Sequence, residues 1–598
     1  MIKEMEMLTE SQFRVLQCIA RSGFSSQREL AAAAGVSLGA VNAALGELTE
    51  ADFVDGGGAV TEAGIAALEP YRVENAVIMA AGMSSRFAPI SYEKPKGVLT
   101  VRGEVLIERQ IRQLREAGID DITVVVGYKK EEFFYLEDMF GVRIVVNPDY
   151  ATRNNNSTIR RVAHLLGNTY ICSSDDYFTE SPFEKYVYRA YYATVFEEGP
   201  TAEYCVIEKG RDRLIAGATV GGSDAWTMMG HVYWDREFSA RFLEVLDRVY
   251  DLPETAGKLW EDIYIDHIDG LSMVSRHYPA GVIWEFDSLD ELRVFDPDFL
   301  DNIDSDIMDN ICSVLGCARA DICGIAPIKQ GLTNLSFRFE VNGEKYVYRH
   351  PGVGTEEIID RRSEAFSQEV AKRLGLDDTY VHEDPEEGWK ISRFIENCTT
   401  LDYRNPAHVK QAMAMARTLH GCGVESDFSF DLLENALRMI DALSAEHRTT
   451  FADFDTLFAM AAELDALAKA HGARICLCHN DFYDPNFLAS EDGMQLIDWE
   501  YSGMADYASD LGVFICCCGD YTYDDAVCVL EEYFQRPLTD EELLHCISYV
   551  SLASFYWFIW ALYKDMCGNP VGEYLLLWYR YAKQYGKRAL ELKSEMGL

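Results

Sequence analysis

The sequence predicts three folds in succession along 598 residues. A small helical module comes first, then a mostly parallel α/β sheet, then a strand-rich lobe followed by a helical lobe. Three observations predict this order. Helical spacing with turn signals runs through residues 1–72. Apolar β runs alternate with amphipathic helical patterns over 75–300. Short strands over 322–395 give way to helical periodicity over 405–598. The length suits three or four domains of roughly 100–200 residues. An apolar share of 48% excludes a disordered chain and allows several full cores.

The charge narrows the function. Lys plus Arg is 54 against 98 Asp plus Glu, a formal net charge of −44. Such a chain is a poor general binder of nucleic acid or of an anionic membrane. It retains local routes to anionic nucleotides through backbone amides, a few basic residues and Mg²⁺, and its field suits a cationic small substrate. The 16 cysteines show no metal-type spacing. Cys516, Cys517 and Cys518 are consecutive, which fits buried thiols in a reducing compartment. Residues 1–10 carry several acids and no apolar core, so no signal peptide is expected. Residues 546–563 carry no charge and sit near the ~18-residue length of a spanning helix. Ser548, Ser551 and Ser554 within that run favour a buried core helix, so the expectation is a cytoplasmic protein without a membrane.

Within 1–72, residues 12–21 carry helical spacing. Ser26 caps a helix to Ala34, with Glu29 placed to complete a capping box. Gly35-Val36-Ser37 turns into a third helix through Leu48, and residues 53–60 read as a glycine-turned hairpin. This order resembles the winged helix-turn-helix domains of bacterial regulators. Residues 1–75 nevertheless hold five basic side chains against eleven acidic ones, and 37–50 has no Lys or Arg. DNA affinity rests largely on phosphate contacts. Docking, regulation or dimerisation is favoured over DNA, with a homo-oligomer as one form that dimerisation would take.

In 75–300, a strand at 75–79 runs into Ala80-Ala81-Gly82-Met83-Ser84-Ser85-Arg86. Small residues let backbone approach a nucleotide, and the loop amides favour phosphate oxygens. Arg86 suits the outer phosphates and Lys96 the α-phosphate. The acidic tip Ser174-Asp175-Asp176 ends another strand, where α/β sheets bind ligands and a carboxylate suits Mg²⁺.

Together with Lys94-Pro95-Lys96-Gly97, Asn154-Asn155-Asn156-Ser157 and Trp284-Glu285-Phe286-Asp287-Ser288, this segment resembles the sugar-nucleotide-pyrophosphorylase-like nucleotidyltransferases. It is most similar to the bacterial CTP:phosphocholine cytidylyltransferases. The resemblance implies a Rossmann-like (GT-A-like) sheet, Ala80, Ala81 and Gly82 around the base and ribose, and Mg²⁺ held by Asp175 and Asp287. Asp176 stays a rival to Asp175. Ser84 stands where the family's second glycine falls. Tyr233 and Trp234 are candidates for a quaternary ammonium pocket.

Residues 301–320 mark a boundary, beside an Asp-rich run at 296–309 that is poor in strand pattern, giving 1–72, 75–300 and 310–598 as domains. In the last, His479-Asn480-Asp481 leads to Asn486 and then Leu496-Ile497-Asp498. Phosphoryl transfer needs a carboxylate for the hydroxyl proton and an Asn and an Asp for Mg²⁺. Gln330-Gly331-Leu332-Thr333-Asn334 is placed to turn two strands over phosphates. Arg349 ends a strand where a kinase places its Lys, with Glu364 or Glu369 as partner.

This set resembles the aminoglycoside phosphotransferase and choline kinase superfamily, a bilobal protein-kinase-like fold. Arg349, and Ser554-Phe555-Tyr556-Trp557-Phe558-Ile559-Trp560, look like its choline and ethanolamine kinase branch. The resemblance implies Asp481 as base, Asn486 and Asp498 as Mg²⁺ ligands, and Gly331, Thr333, Asn334, Arg349 and Glu364 around ATP. Trp557 and Trp560, three apart on a helix, are expected to cage trimethylammonium with Trp499 or Tyr501, and Asp510 to add a counter-charge.

Two such domains imply consecutive reactions: choline and ATP to phosphocholine, then phosphocholine and CTP to CDP-choline, a donor for decorating bacterial surface glycans. The rivals are ethanolamine or another amino alcohol, a sugar kinase with a sugar-nucleotide pyrophosphorylase, and a ligand-sensing transcriptional regulator.

Overall fold

A computed structural model describes residues 7–598 except 287, 329–333, 353–358, 445–446, 449, 492 and 569–570. The chain forms two compact units, Met1–Met308 and Asp309–Leu598.

The first unit opens with helices α1 (Glu10–Ser22), α2 (Gln27–Ala34) and α3 (Leu38–Glu50). Thr9, Ser26 and Ser37 each cap a helix by accepting a backbone N–H, satisfying donors the helix cannot pair internally. The capping box expected of Glu29 does not form: its carboxylate bonds to Ser25 instead. The expected hairpin shrinks to one antiparallel bridge between Val54 and Val60.

Strands β1 (Asn75–Ala80), β2 (Ile122–Val126), β3 (Arg143–Val146) and β4 (Thr169–Ser173) form the parallel part of a seven-stranded sheet. β1 lies between β2 and β4. A short β5 (Asp176–Phe178) follows outside it. The sheet is not parallel throughout. β6 (Tyr191–Lys209) and β7 (Leu214–Trp234) form a long antiparallel hairpin, and β7 pairs antiparallel with β4. β8 (Val274–Tyr278) extends the edge, and β9 (Ile283–Glu285) pairs with β5.

In the second unit, β10 (Cys323–Pro327), β11 (Asn334–Val341), β12 (Glu344–Pro351), β13 (Tyr380–Glu383) and β14 (Lys390–Arg393) make a five-stranded antiparallel sheet. One helix, α4 (Arg361–Arg373), packs beside it. The helical lobe includes α5 (Ala508–Cys516), α6 (Asp540–Met566) and α7 (Tyr574–Glu595). α6 is long and apolar enough to cross a membrane, but 94% of its most apolar stretch is buried inside the lobe. Its apolar surface is already covered by protein, as expected for a core helix. All 16 cysteines are thiols.

Candidate active sites

The first site opens at the C-terminal end of β1, where such sheets bind ligands. A cleft of about 730 Å³ is lined by Ala80, Ala81, Gly82, Arg86, Lys96 and Asp175. Nothing lies within 4 Å of where a Gly82 side chain would start, so that backbone faces open space. Ser84 adopts φ +48°, a left-handed conformation that glycine takes without strain. Its departure from the family's glycine therefore bears on backbone conformation as well as on size.

Lys96 is buried. Its ammonium donates to Asp175 Oδ2 at 3.1 Å and to the Phe286 carbonyl. Burial alone would push the Asp175 carboxyl up; the Lys96 charge and the Ser173 hydroxyl, 2.6 Å away, outweigh it and hold the pKa below the usual range. Asp176 behaves oppositely. It starts β5 opposite Glu285, fully buried, and neither oxygen has a hydrogen-bond partner. Burial, then the charges of Glu285 and Asp175, push it well above the usual range. Its carboxylate lies against Gly230, where no Cβ would fit. Asp175 thus faces the cleft and Asp176 lies behind it.

Asp287 lies outside the described residues, but Glu285 lines the cleft. Three carboxylates gathered here, one without a partner, suit a divalent cation. Tyr233 and Trp234 do not reach the site. Both are fully buried core residues of β7, Tyr233 against Tyr170 at 5.4 Å and Trp234 against Phe242 at 4.7 Å. Asn155 is a residue for which the sequence reading had no role. It lines the cleft and is held by Glu261 at 3.1 Å and by the Trp260 amide at 2.7 Å. The run of asparagines at 154–156 was the available signal.

The second site is built on the loop after the strand Ile475–Cys478. Asp510, in the first turn of α5, accepts the backbone amides of His479 at 3.0 Å and Asn480 at 2.6 Å, and contacts His420 at 2.9 Å. Its carboxylate anchors the loop, so it does not serve as counter-charge to a bound cation. Asn480 sits at φ +62°, a conformation Asn tolerates, and turns the chain to present Asp481. Burial lowers the His479 pKa. As the neutral ring it accepts the Asp481 amide at Nδ1 (3.3 Å) and donates from Nε2 to the Ile497 carbonyl (3.0 Å). It therefore ties Asp481 to the strand end that carries Asp498.

Asn486 donates its amide to Asp481 Oδ2 at 2.8 Å, leaving its own Oδ1 for a cation. Burial, then the Asp498 charge, pushes the Asp481 carboxyl well up. Asp498 takes φ +67° and its side chain is 38% exposed, the open member of the set. Arg349 Nη1 lies 3.6 Å from it. A buried carboxylate raised by a neighbouring carboxylate again fits a divalent cation between them.

Glu364 is the partner of Arg349: it is fully buried and bound by Arg349 at 2.8 Å, Lys390 at 3.0 Å and Arg361 at 2.8 Å. These cations overcome its burial and hold its pKa well below the usual range. Glu369 contacts Tyr380 instead. Asn334 donates to Glu500 at 3.0 Å and accepts from Arg361 at 3.1 Å. Gly331 and Thr333 lie outside the described residues.

Tyr501, Trp557 and Trp560 come together: Tyr501 to Trp557 is 5.6 Å between ring centroids and Trp557 to Trp560 is 5.4 Å. Trp578 joins them at 5.7 Å from Trp557, and Tyr574 stacks on Trp578 at 5.1 Å. These two were missed, although their spacing of four marks one helix face. Trp499 is elsewhere. It is buried, packs on His479 at 4.6 Å and donates to the Leu496 carbonyl.

One cleft with a phosphate-type loop and a lysine–carboxylate pair, and one loop with a kinase's Asp, Asn and Asp, define a transferase with two catalytic domains. Comparison with known proteins agrees. A MobA-like NTP transferase model matches residues 76–192, a choline/ethanolamine kinase model matches 325–556, and a winged helix-turn-helix DNA-binding model matches 8–55. The choline-phosphate cytidylyltransferase of Streptococcus pneumoniae is 32% identical over 218 residues, covering 36% of this chain and 95% of that protein. The 2-aminoethylphosphonate cytidylyltransferase of Lancefieldella rimae is 34% identical over 226 residues, covering 37% and 92%. The crystal structure of choline kinase LicA from Streptococcus pneumoniae is 25% identical and covers 47% of this chain and 98% of its own, with a TM-score of 0.41. The chain belongs, through its first catalytic domain, to the family of these cytidylyltransferases, and it carries a choline/ethanolamine kinase domain behind it.

Proposed function

We propose that the chain makes CDP-choline in two steps: phosphorylation of choline by ATP, then cytidylyl transfer from CTP to the phosphocholine formed. The observation that carries the acceptor is the cluster of Tyr501, Trp557 and Trp560, whose π faces attract a quaternary ammonium. In the kinase half, Asp481 accepts the hydroxyl proton, and Arg349, fixed by Glu364, faces ATP. Asn486 and Asp498 would hold Mg²⁺. In the transferase half, the 80–82 loop receives the nucleotide and Arg86 its outer phosphates. Lys96 neutralises charge on the α-phosphate under attack, and Asp175 with Asp287 would hold Mg²⁺. Bound at either site, the metal screens phosphate charge and orients the phosphates for in-line displacement.

The aminoethylphosphonate relative raises a second acceptor for the transferase half. A phosphonate needs no kinase, so the kinase domain on this chain favours a phosphate ester made from an alcohol. For residues 1–72, the exposed face of α3 has no cation, which favours a regulatory role over DNA reading. The test is ³¹P NMR of the purified chain with choline, ATP, CTP and Mg²⁺. Phosphocholine, followed by CDP-choline and pyrophosphate, is expected. ATP left intact with choline but consumed with ethanolamine or a sugar would overturn the acceptor.

A further inference from the structure

The winged helix is docked onto the transferase sheet by α1. Phe13, Val15, Leu16 and Ile19 are buried in a cluster that includes Tyr186, just before β6. Gln17 donates to the Tyr186 carbonyl at 2.7 Å, and Tyr188 to the Leu8 carbonyl at 3.2 Å. Beside this seam lies a cavity of about 560 Å³, walled by α1, the turn between β6 and β7, and the edge strand β8. It is separate from the catalytic cleft, with which it shares no lining residue.

Its chemistry reverses that of the chain. Six arginines line it, Arg14, Arg21, Arg189, Arg211, Arg213 and Arg276, against three acids. Those acids are already engaged. Glu10 pairs with Arg14 and Arg189, Asp212 with Arg189 at 3.6 Å, and Glu184 with Arg276 at 2.9 Å. Among the described residues, Arg21, Arg211 and Arg213 make no ion pair, and all three are exposed. Arg276 is held in place from below, its guanidinium 4.7 Å over the Tyr191 ring. A chain with 98 acids against 54 bases therefore concentrates unneutralised guanidinium groups in one concavity. Guanidinium matches phosphate oxygens in a two-pronged geometry. The volume fits a small ligand. Duplex DNA would instead need an element to enter a groove, and α3 carries no Lys or Arg for its phosphates.

We propose that this cleft binds a small polyanion bearing two or more linked phosphates, a nucleoside di- or triphosphate or an inorganic polyphosphate, and that the winged helix reads it with α1 rather than α3. The test is hydrogen–deuterium exchange of the full chain, at constant ionic strength, with sodium tripolyphosphate, CTP or ATP. A saturable slowing in peptides covering 10–22 and 208–216 is expected. In the Arg21→Ala/Arg213→Ala variant at least tenfold more ligand is needed, while basal kinase and transferase rates stay unchanged. A response to tripolyphosphate identifies the phosphate chain as the recognised group; a response to CTP or ATP alone adds the nucleoside. The proposal is overturned if both peptides are unmoved by all three probes. It is also overturned if the variant responds like the native chain, or if protection is confined to residues 79–87. Slowing of 38–50 by duplex DNA with 10–22 unmoved would overturn it as well and return the module to DNA.

Discussion

Trp557→Leu separates a cation cage from a packed aromatic core. Trp557 is the hub of the cluster, with Tyr501, Trp560 and Trp578 all between 5.4 and 5.7 Å from its ring. It is 4% exposed, so a cation against it is largely desolvated and the contact stands near the upper end of the range, about 2 kcal/mol. At 1.4 kcal/mol per decade, that is roughly a 30-fold rise in the KM for choline. The assay is initial-rate kinase kinetics with choline and with 3,3-dimethylbutanol, its uncharged isostere. Loss of shape alone raises both KM values together; loss of a π face raises that of choline and leaves the isostere nearly unchanged. Trp557→Phe keeps an aromatic face and should recover much of the loss. The KM for ATP, and the thermal midpoint, report on damage beyond the pocket. Equal effects on choline and the isostere would refute the cage and leave the cluster as packing.

Lys96→Ala should lower cytidylyl transfer about 10²–10³-fold, as for other removed transition-state donors, with choline phosphorylation unchanged in the same preparation; pyrophosphate release and ADP formation read the two halves. Glu364→Gln should cut kinase kcat at least tenfold by removing the charge that Arg349 and Lys390 share, leaving Arg349 to Glu383 at 3.2 Å, whereas Glu369→Gln should leave it within twofold; the same ADP assay decides. Glu261 has a folded-state pKa pushed up to about 7 from 4.5, by burial first. Its neutral form therefore stabilises the fold fully below 4.5, and that contribution is lost as pH rises toward 7. Glu261→Gln should then gain about 2 kcal/mol at pH 8 and nothing at pH 4, read by denaturant melts at both values, the shift being discounted for the partly exposed carboxyl.

What the sequence made legible was chemistry fixed by local order. The loop at 80–86 follows β1 directly, and Asp481, Asn486 and Asp498 sit on one loop and the strand end after it, so spacing alone brought them together. The aromatic cluster proposed for the acceptor was only half legible. Tyr501, Trp557 and Trp560 come from two distant segments, and Trp578 from a third, so no spacing rule joins them. Trp499 looked equivalent to Tyr501 two residues away, but the chain turns at Asp498 and sends its ring under the loop against His479. The hairpin of β6 and β7 was missed because long stretches of it face solvent on both sides, with glycines at 217, 221 and 222, and so lack the apolar alternation that marks a strand. Tyr233 and Trp234 read as ligand-facing for the same reason: without that hairpin, nothing showed that β7 pairs with β4 and buries both rings in the sheet.

Net charge misleads in this chain for a related reason. A total of −44 describes the average surface, whereas a phosphate ligand responds to charge within about one Debye length, ~8–10 Å in physiological salt. Cations here are gathered rather than spread. Lys96 and Arg86 share the first cleft, and Arg349, Arg361 and Lys390 surround Glu364. Around Glu364 a buried carboxylate fixes the guanidinium groups, so that they need not reorganise when a phosphate arrives. Among the described residues, Arg21, Arg211 and Arg213 of the α1 cleft make no ion pair, so a bound polyanion supplies a counter-charge that no protein carboxylate gives them. A bound polyanion should therefore stabilise the first unit against unfolding more at 20 mM salt than at 300 mM. A melting shift that ignored salt would leave the arginines as surface charge.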